Sequence, residues 1–257
     1  MENQIISKAI VVGVINYGDT DRIAHLLTPD HGLISAIAKR IRSPKHKLAG
    51  VLDVGNILEI QLSPPKNELY LMQTAQELCS TGNIRNNLHK IAIMMYCCEV
   101  AKVLCVPEQP APRLFGLLEH SIQSLITLDQ PNNNMFNGFA VKALALTGQP
   151  PRLDVCNICD EVVGDSRYFH PLVGSMIHKA CLEQRPDLPS QPTFYTPLTW
   201  SENVHNLLHT PLHDTWDTEF PRSQNGKRSS VWLLTEMIEH LIERPIRSRS
   251  LLEPLFP

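Results

Sequence analysis

The sequence predicts an α+β chain: a small β-barrel at the N-terminus, then an all-α domain interrupted by a short insert bearing cysteine and histidine. Three observations predict this. Five runs of β-branched and aliphatic residues lie within residues 8–78, separated by turn-forming Gly, Pro, Asp and Asn. Beyond residue 80 the apolar residues recur at threes and fours, as on an amphipathic helix. Between 152 and 182 two Cys/His pairs, each with a two-residue gap, break the helical pattern.

The strands come first. Residues 8–16, KAIVVGVIN, are rich in β-branched side chains, and Tyr17-Gly18-Asp19 makes a turn. DRIAHLLT (21–28) and LISAIAKRI (33–41) read as a hairpin around Pro29-Asp30-His31-Gly32, with Gly32 supplying a positive φ; helix is the alternative for 21–28, but its shortness and flanking turn signals favour strand. NILEIQLS (56–63) alternates except at Ile57, and a Pro64-Pro65-Lys66-Asn67 turn leads to ELYLMQTAQEL (68–78). Five strands with short connections suit a nearly closed barrel. The OB-fold is the common barrel of this strand count, and its usual ligands are single-stranded nucleic acids and oligosaccharides.

The helices follow. In residues 83–104, Leu88, Ile91, Met95, Cys98 and Lys102 define a stripe, widened by Met94, Val100 and Val103, of a long and mostly buried helix. Prolines 107, 110 and 112 punctuate the connection to a second helix, 113–128. A third, 135–148, ends in a Gly148 of the C′ type before Pro150-Pro151. Residues 200–212 hold a short helix and 229–244 a last amphipathic one. The expected domains are 1–80 (barrel), 81–151 with 183–257 (helical), and 152–182 (insert).

Composition narrows the function classes. At 43% apolar and 19% charged residues the chain is of ordinary globular type, which argues against global disorder. A net charge of −3 argues against a protein that coats nucleic acid with its whole surface, but allows a basic face offset by acid elsewhere. No run reaches the roughly 18 apolar residues of a membrane span. The start, MENQIISKAIVV, has no secretory-signal pattern, and Cys97, Cys98 and Cys105 sit in an apolar helical pattern as reduced thiols. A cytoplasmic location is expected.

The insert reads Cys156-x2-Cys159-x18-His178-x2-Cys181. A two-residue gap lets both members of a pair point inward along one edge of a tetrahedron, and three thiolates with one imidazole suit zinc. Four protein ligands leave no position for a reacting water, so the expected role is structural. The metal would contribute folding energy to a segment that otherwise buries little. His170 is a competing ligand with no partner two residues on. The sequence contains no zinc-deaminase pair of motifs, no His-Glu-x-x-His, no phosphate loop and no dinucleotide fingerprint. Histidines 205, 209 and 213 have helical spacing, but Pro211 ends that helix and leaves them on the surface.

The stretch 38–50, AKRIRSPKHKLAG, carries Lys39, Arg40, Arg42, Lys45 and Lys47, five cations in nine residues with no acid among them. Charge runs are often only solvated turns. Here Arg and Lys are mixed, which suits forked and point contacts to phosphate, and the run lies between strands of a barrel type that binds single strands. These five cations are the expected contacts to a nucleic-acid backbone, with Arg22 a weaker candidate because it could pair with Asp19 or Asp21. Tyr17 and Tyr70 are the only aromatic residues before residue 90, so little sequence preference is expected.

The run YGDTDRIAHLLTPDHGLISAIAKRIRSPKHKLAGVLDVGNILEIQL resembles the N-terminal domain of the RecO recombination mediators. Cys156-x2-Cys159, the Tyr168-Phe169-x-Pro171 run with Gly174, and the closing x2-Cys181 resemble that family's zinc module. Two residues depart from the pattern: His178 stands where many members have cysteine, and Arg40 where glycine is usual. The resemblance implies an N-terminal OB-fold, a helical C-terminal domain with a zinc insert, and no covalent catalysis. It implies binding of single- and double-stranded DNA, annealing of complementary strands, and, with RecR, loading of RecA onto DNA covered by single-strand-binding protein (SSB). The acidic, Phe-ended SSB tail would be a ligand of the helical domain. Two rival readings differ in partner: a zinc-stabilised adaptor that binds only proteins, and an OB-fold protein that binds RNA.

Overall fold

The computed structural model describes residues 4–41, 50–66, 69–164, 168–185, 194–195, 198–210 and 230–256. Its residues pack as two compact units, Met1–Asp129 and Gln130–Pro257.

In the first unit, β1 (Ile5–Tyr17), β2 (Asp21–Thr28), β3 (Gly32–Ala38), β4 (Ile57–Lys66) and β5 (Leu69–Cys79) close into an OB-like barrel in the order β1-β2-β3-β5-β4. All neighbours are antiparallel except β3 and β5, which run parallel. β1 closes the barrel by serving two partners: its first half pairs with β4 and its second with β2, across a register shift between Val11 and Gly13. A bulge there adds the twist and bend that closure requires. Ile57, which interrupts the sequence alternation, also lies at a register shift, against β5.

β3 shows the alternation clearly. Ile34, Ala36 and Ala38 enter the barrel core with Ala24, Leu26, Leu58, Ile60 and Leu62, while Ser35 and Ile37 face outward. The turn before β3 uses Gly32 at φ 58, as expected from the sequence. Glu108 N–H donates to the Leu33 carbonyl at 3.3 Å, and Ala111 N–H to Pro29 at 2.9 Å, so the 107–111 segment lies directly over this turn.

α1 spans Leu88–Leu104, not 83–104, because the Asn87 side chain accepts from Lys90 N–H at 3.1 Å and caps the helix there. Residues Gly82–Ile84 form a separate 3-10 turn. The buried stripe also differs from the expected one. It keeps the expected Met94, Cys98 and Val100 but adds Ala92, Ile93, Tyr96, Cys97, Ala101 and Leu104, whereas Leu88 is 59% exposed. α2 (Pro112–Thr127) starts with proline at its first turn, where no intrahelical N–H is needed, and packs against α1.

The second unit contains α3 (Asn133–Leu146), capped by Asn132 and followed by Gly148 at φ 81. A four-stranded sheet follows, in the order β6-β8-β7-β9, from β6 (Arg152–Cys156), β7 (Tyr168–His170), β8 (Ser175–Ile177) and β9 (Phe194–Tyr195). Short α4 (Lys179–Glu183) follows β8, and α5 (Leu198–His209), α6 (Leu233–Leu241) and α7 (Arg249–Leu252) are the further helices among the described residues of this unit. Its core is aromatic: Phe136 stacks on Trp232 at 5.3 Å, and Phe169 tilts against Trp200 at 5.0 Å. Arg249 joins α7 to α6 through Glu236 and Glu239 at 3.3 and 2.7 Å. No helix among the described residues is long and apolar enough to cross a membrane.

Candidate functional site

Cys156, Cys159, His178 and Cys181 come together with all four ligand atoms within 4.8 Å of one another. Cys156 ends β6 and Cys159 lies three residues on, in a tight knuckle closed by Asp160 N–H donating to the Cys156 carbonyl at 3.0 Å, with Asp160 at φ 57. β8 lies beside β6 and delivers His178 to the N-terminus of α4, whose first turn carries Cys181. The Nδ1 atom of His178 is 3.4 Å from Cys159 Sγ and 4.0 Å from Cys181 Sγ. Tetrahedral zinc with Zn–S near 2.3 Å and Zn–N near 2.1 Å places neighbouring ligand atoms about 3.5–3.8 Å apart, so the cluster has the right size.

The surroundings suit thiolate ligands. Ile158 N–H and His178 N–H point at Cys156 Sγ, at 3.4 and 3.5 Å. Burial pushes the Cys156 thiol up, but the N–H groups of His178, Cys159 and Ile158 outweigh it and bring the pKa down to about 6. Cys181 is raised to about 11, by burial first and then by the Cys159 and Cys156 sulfurs beside it. Such mutual repulsion of clustered thiolates is what a bound cation relieves. The other nitrogen of His178, Nε2, lies 3.3 Å from the Val162 carbonyl. As an N–H donor to that oxygen it leaves Nδ1 as the lone-pair ligand. The residues present thus fit zinc. His170, the competing candidate, is fully buried at the end of β7 and stands outside this group. His205 and His209 are exposed neighbours on α5, and His213 lies outside the described residues.

The second feature is the rim of the barrel where β3 ends. Lys39 and Arg40 follow β3 and are exposed; Arg42, Lys45 and Lys47 lie outside the described residues. Asp21, at the start of β2, lies against this rim. Its carboxylate accepts from Lys39 Nζ at 2.8 Å, from Arg40 N–H at 2.8 Å and from Thr20 Oγ1 at 3.0 Å. The Arg40 N–H, then the Lys39 ammonium, hold the carboxyl down at about 2. The basic segment therefore has a compensating acid after all, supplied from eighteen residues upstream. The sequence offers Asp21 only as a possible partner of Arg22. The signal that finds it is the hairpin register: Arg22 opposes Ala38, and one step further places Asp21 opposite Lys39.

Arg40 itself sits at φ 56, in the left-handed region. That is why glycine suits this position, and why arginine here needs the Asp21 bond to its backbone. Arg22 pairs with neither Asp19 nor Asp21. Its Nε donates to Asn16 Oδ1 at 3.3 Å, at the edge of a cleft of about 250 Å³ lined also by Val14, Leu52, Asp53 and Val54.

Comparison with known proteins decides what carries these two features. Residues 1–80 match the family model described as Recombination protein O N terminal, and residues 85–250 match Recombination protein O C terminal. The chain belongs to the RecO family. Among curated relatives, the DNA repair protein RecO of Dehalococcoides mccartyi strain CBDB1 is 33% identical over 184 residues, covering 71% of this chain and 72% of that protein. DNA repair protein RecO of Myxococcus xanthus is 28% identical over 173 residues, covering 67% and 70%, and that of Pelobacter propionicus 28% over 174, covering 68% and 70%. Membership of the RecO family gives the chain a role in DNA repair and recombination.

Proposed function

We propose that this RecO-family chain binds single- and double-stranded DNA through the rim of its barrel, anneals complementary strands and, with RecR, helps to load RecA onto DNA covered by SSB. The observation that carries the reading is the cationic rim itself, Arg22, Lys39 and Arg40 at one end of an OB-like barrel, leading into Arg42, Lys45 and Lys47. A strip of cations holds two polyanionic strands together and lowers their mutual repulsion, and release of condensed counterions supplies the driving force. Annealing by this route needs proximity and charge neutralisation and no covalent catalysis. RecR, the SSB tail and, indirectly, RecA are the protein partners, and the site of action is the cytoplasm, at the nucleoid.

Zinc held by Cys156, Cys159, His178 and Cys181 is structural in this reading, since the protein supplies all four ligands. The division of labour follows residues 1–80 as the DNA-binding barrel, 81–151 and 183–257 as the helical domain, and 152–182 as the zinc insert.

The test is single-stranded DNA affinity measured against salt, for the wild type and for a variant with Lys39, Arg40, Arg42, Lys45 and Lys47 neutralised. If all five contact phosphate, the log–log slope flattens by about 3.5, at roughly 0.7 per contact for single strands, and strand annealing slows in parallel. An unchanged slope and affinity would overturn the assignment of this rim. Absence of DNA binding by the wild type at low salt would leave a protein-binding adaptor, and stronger binding to RNA of the same sequence an RNA-binding protein.

A further inference from the structure

We propose that the rim carries a single-nucleotide subsite in which Tyr17 takes the face of an unstacked base, Lys39 takes the adjacent phosphate, and Asp21 is the positioning residue that fixes the Lys39 ammonium. This rests on the DNA-binding reading above and goes on to say where one nucleotide sits.

The register sets the geometry. Tyr17 is the partner of Asp21 across the β1–β2 pair, and Asp21 reaches Lys39 across the β2–β3 pair. Residues directly opposite in antiparallel strands share a face, with Cβ atoms about 5 Å apart. Tyr17, Asp21 and Lys39 therefore form one row on the outer face of the barrel. The alternate row, Asn16, Arg22 and Ala38, belongs to the interior and its mouth. Tyr17 is 53% exposed and the Lys39 side chain 57%, whereas the Asp21 side chain between them is only 16% exposed. The row thus has two open ends and a covered centre.

The next row on this face is apolar. Ile15, Ile23, Ile37 and Leu71 are register partners across β1, β2, β3 and β5, with Ile15 51% and Leu71 37% exposed. An aromatic ring beside aliphatic side chains, with one strand, β2, between it and an ammonium, matches a base attached to its phosphate. An inorganic anion would have no use for the ring.

Asp21 is the telling residue. A carboxylate on a surface for polyanions costs affinity through repulsion unless it does something else. Here it occupies one of the three N–H donors of Lys39 and leaves two for a phosphate. It also holds the backbone of Arg40. An ammonium so fixed has lost in advance the rotamer freedom that binding would otherwise remove.

The proposal is tested with oligo-dT, by fluorescence anisotropy across a salt series. Tyr17→Leu should weaken binding about tenfold with its salt slope unchanged, because stacking releases no counterions; about tenfold is the usual loss for one base–aromatic contact. Tyr17→Phe keeps the ring and should keep the affinity. Lys39→Gln should flatten the slope by about 0.7. Asp21→Ala makes the rim more positive, so charge alone predicts tighter binding; positioning predicts binding several-fold weaker, and a smaller loss when Asp21→Ala is added to Lys39→Gln, where only the hold on Arg40 is left to lose. Tyr17→Leu binding like wild type, or Asp21→Ala binding more tightly, would overturn the subsite while leaving the rim as a DNA-binding surface. A wild type that binds no oligo-dT would instead overturn the function on which the subsite rests. A wild type that binds an abasic strand as tightly as oligo-dT would also overturn the subsite and leave the Tyr17 row to a protein partner.

Discussion

Arg40 turns the chain away from β3 at φ 56, and its backbone N–H is held by the Asp21 carboxylate at 2.8 Å. A left-handed L-residue costs about 1–2 kcal/mol, and glycine removes that cost while adding about 0.4–1 kcal/mol of unfolded-chain entropy. Arg40→Gly should therefore stabilise the first unit by roughly 0.5 kcal/mol, measured as a higher urea midpoint. The same variant should flatten the single-stranded DNA salt slope by about 0.7. Lower stability would show that the Arg40 side chain is held by contacts outweighing its backbone strain.

For the metal cluster, His178→Cys should retain zinc, since a thiolate in place of the imidazole completes a four-cysteine site of ordinary type. His178→Ala and Cys156→Ser should lower the metal content below one per chain, read by a colourimetric zinc assay on purified protein. Chelation should open residues 152–182 to limited proteolysis first, with the barrel, in the other compact unit, cut later. Full zinc content in both His178→Ala and Cys156→Ser would mean that the metal is held elsewhere.

His25 supplies a pH dependence. Burial, then the Lys102 ammonium beside it, lowers its pKa below the ordinary 6.5. The unfolded chain therefore takes up the proton first. The contribution of neutral His25 to stability is complete above 6.5 and is lost as pH falls through the lower folded value. Urea midpoints of the wild type should decline from pH 7 towards pH 5, and His25→Gln should decline less. Glutamine can keep a hydrogen bond to Ser35 Oγ, which lies 3.0 Å from His25 Nδ1. Equal declines would show that other groups set the profile.

Gly32 cannot be replaced. A Cβ there would stand 2.0 Å from the Gln109 carbonyl oxygen, and the backbone is at φ 58. The obstacle is main chain, tied down by the Glu108 and Ala111 N–H bonds to Leu33 and Pro29, so it cannot swing aside as a side-chain tip can. Gly32→Ala should cost at least about 3 kcal/mol from backbone strain and overpacking together, read as a large drop in the unfolding midpoint or loss of soluble protein. A shift below about 1 kcal/mol would mean that the 107–111 segment moves freely.

The barrel was legible because its signals are local. The run 21–28 matches β2, Asp21–Thr28; its apolar residues do not alternate, and its shortness with turn signals on both sides, at Gly18 and Pro29, is what favours strand over helix. The start and the buried face of α1 were not legible. Apolar residues lie almost all round this helix, so spacing alone did not decide between the Leu88–Ile91–Met95 stripe and the Ala92–Ile93–Tyr96–Cys97 face that is buried. The sheet that carries the cysteines was hidden for a different reason. Its strands are two to five residues long, shorter than any periodicity can mark.

The sequence by itself determined the things that depend on neighbours in the chain: the turn at Gly32, the five strands, the cation run from Lys39 to Lys47, and the ligand types and gaps around Cys156 and His178. Only the tertiary structure decided which distant residues meet. It placed Asp21 on Lys39 and Arg40, closed β4 on β1, and brought His178 to the three cysteines by laying β8 beside β6. The reason is that strand pairing transmits position across the sheet. A hydrogen-bonded register fixes which side chains share a face, and that register is set by the packing of the whole barrel or sheet, beyond what any single stretch of sequence carries.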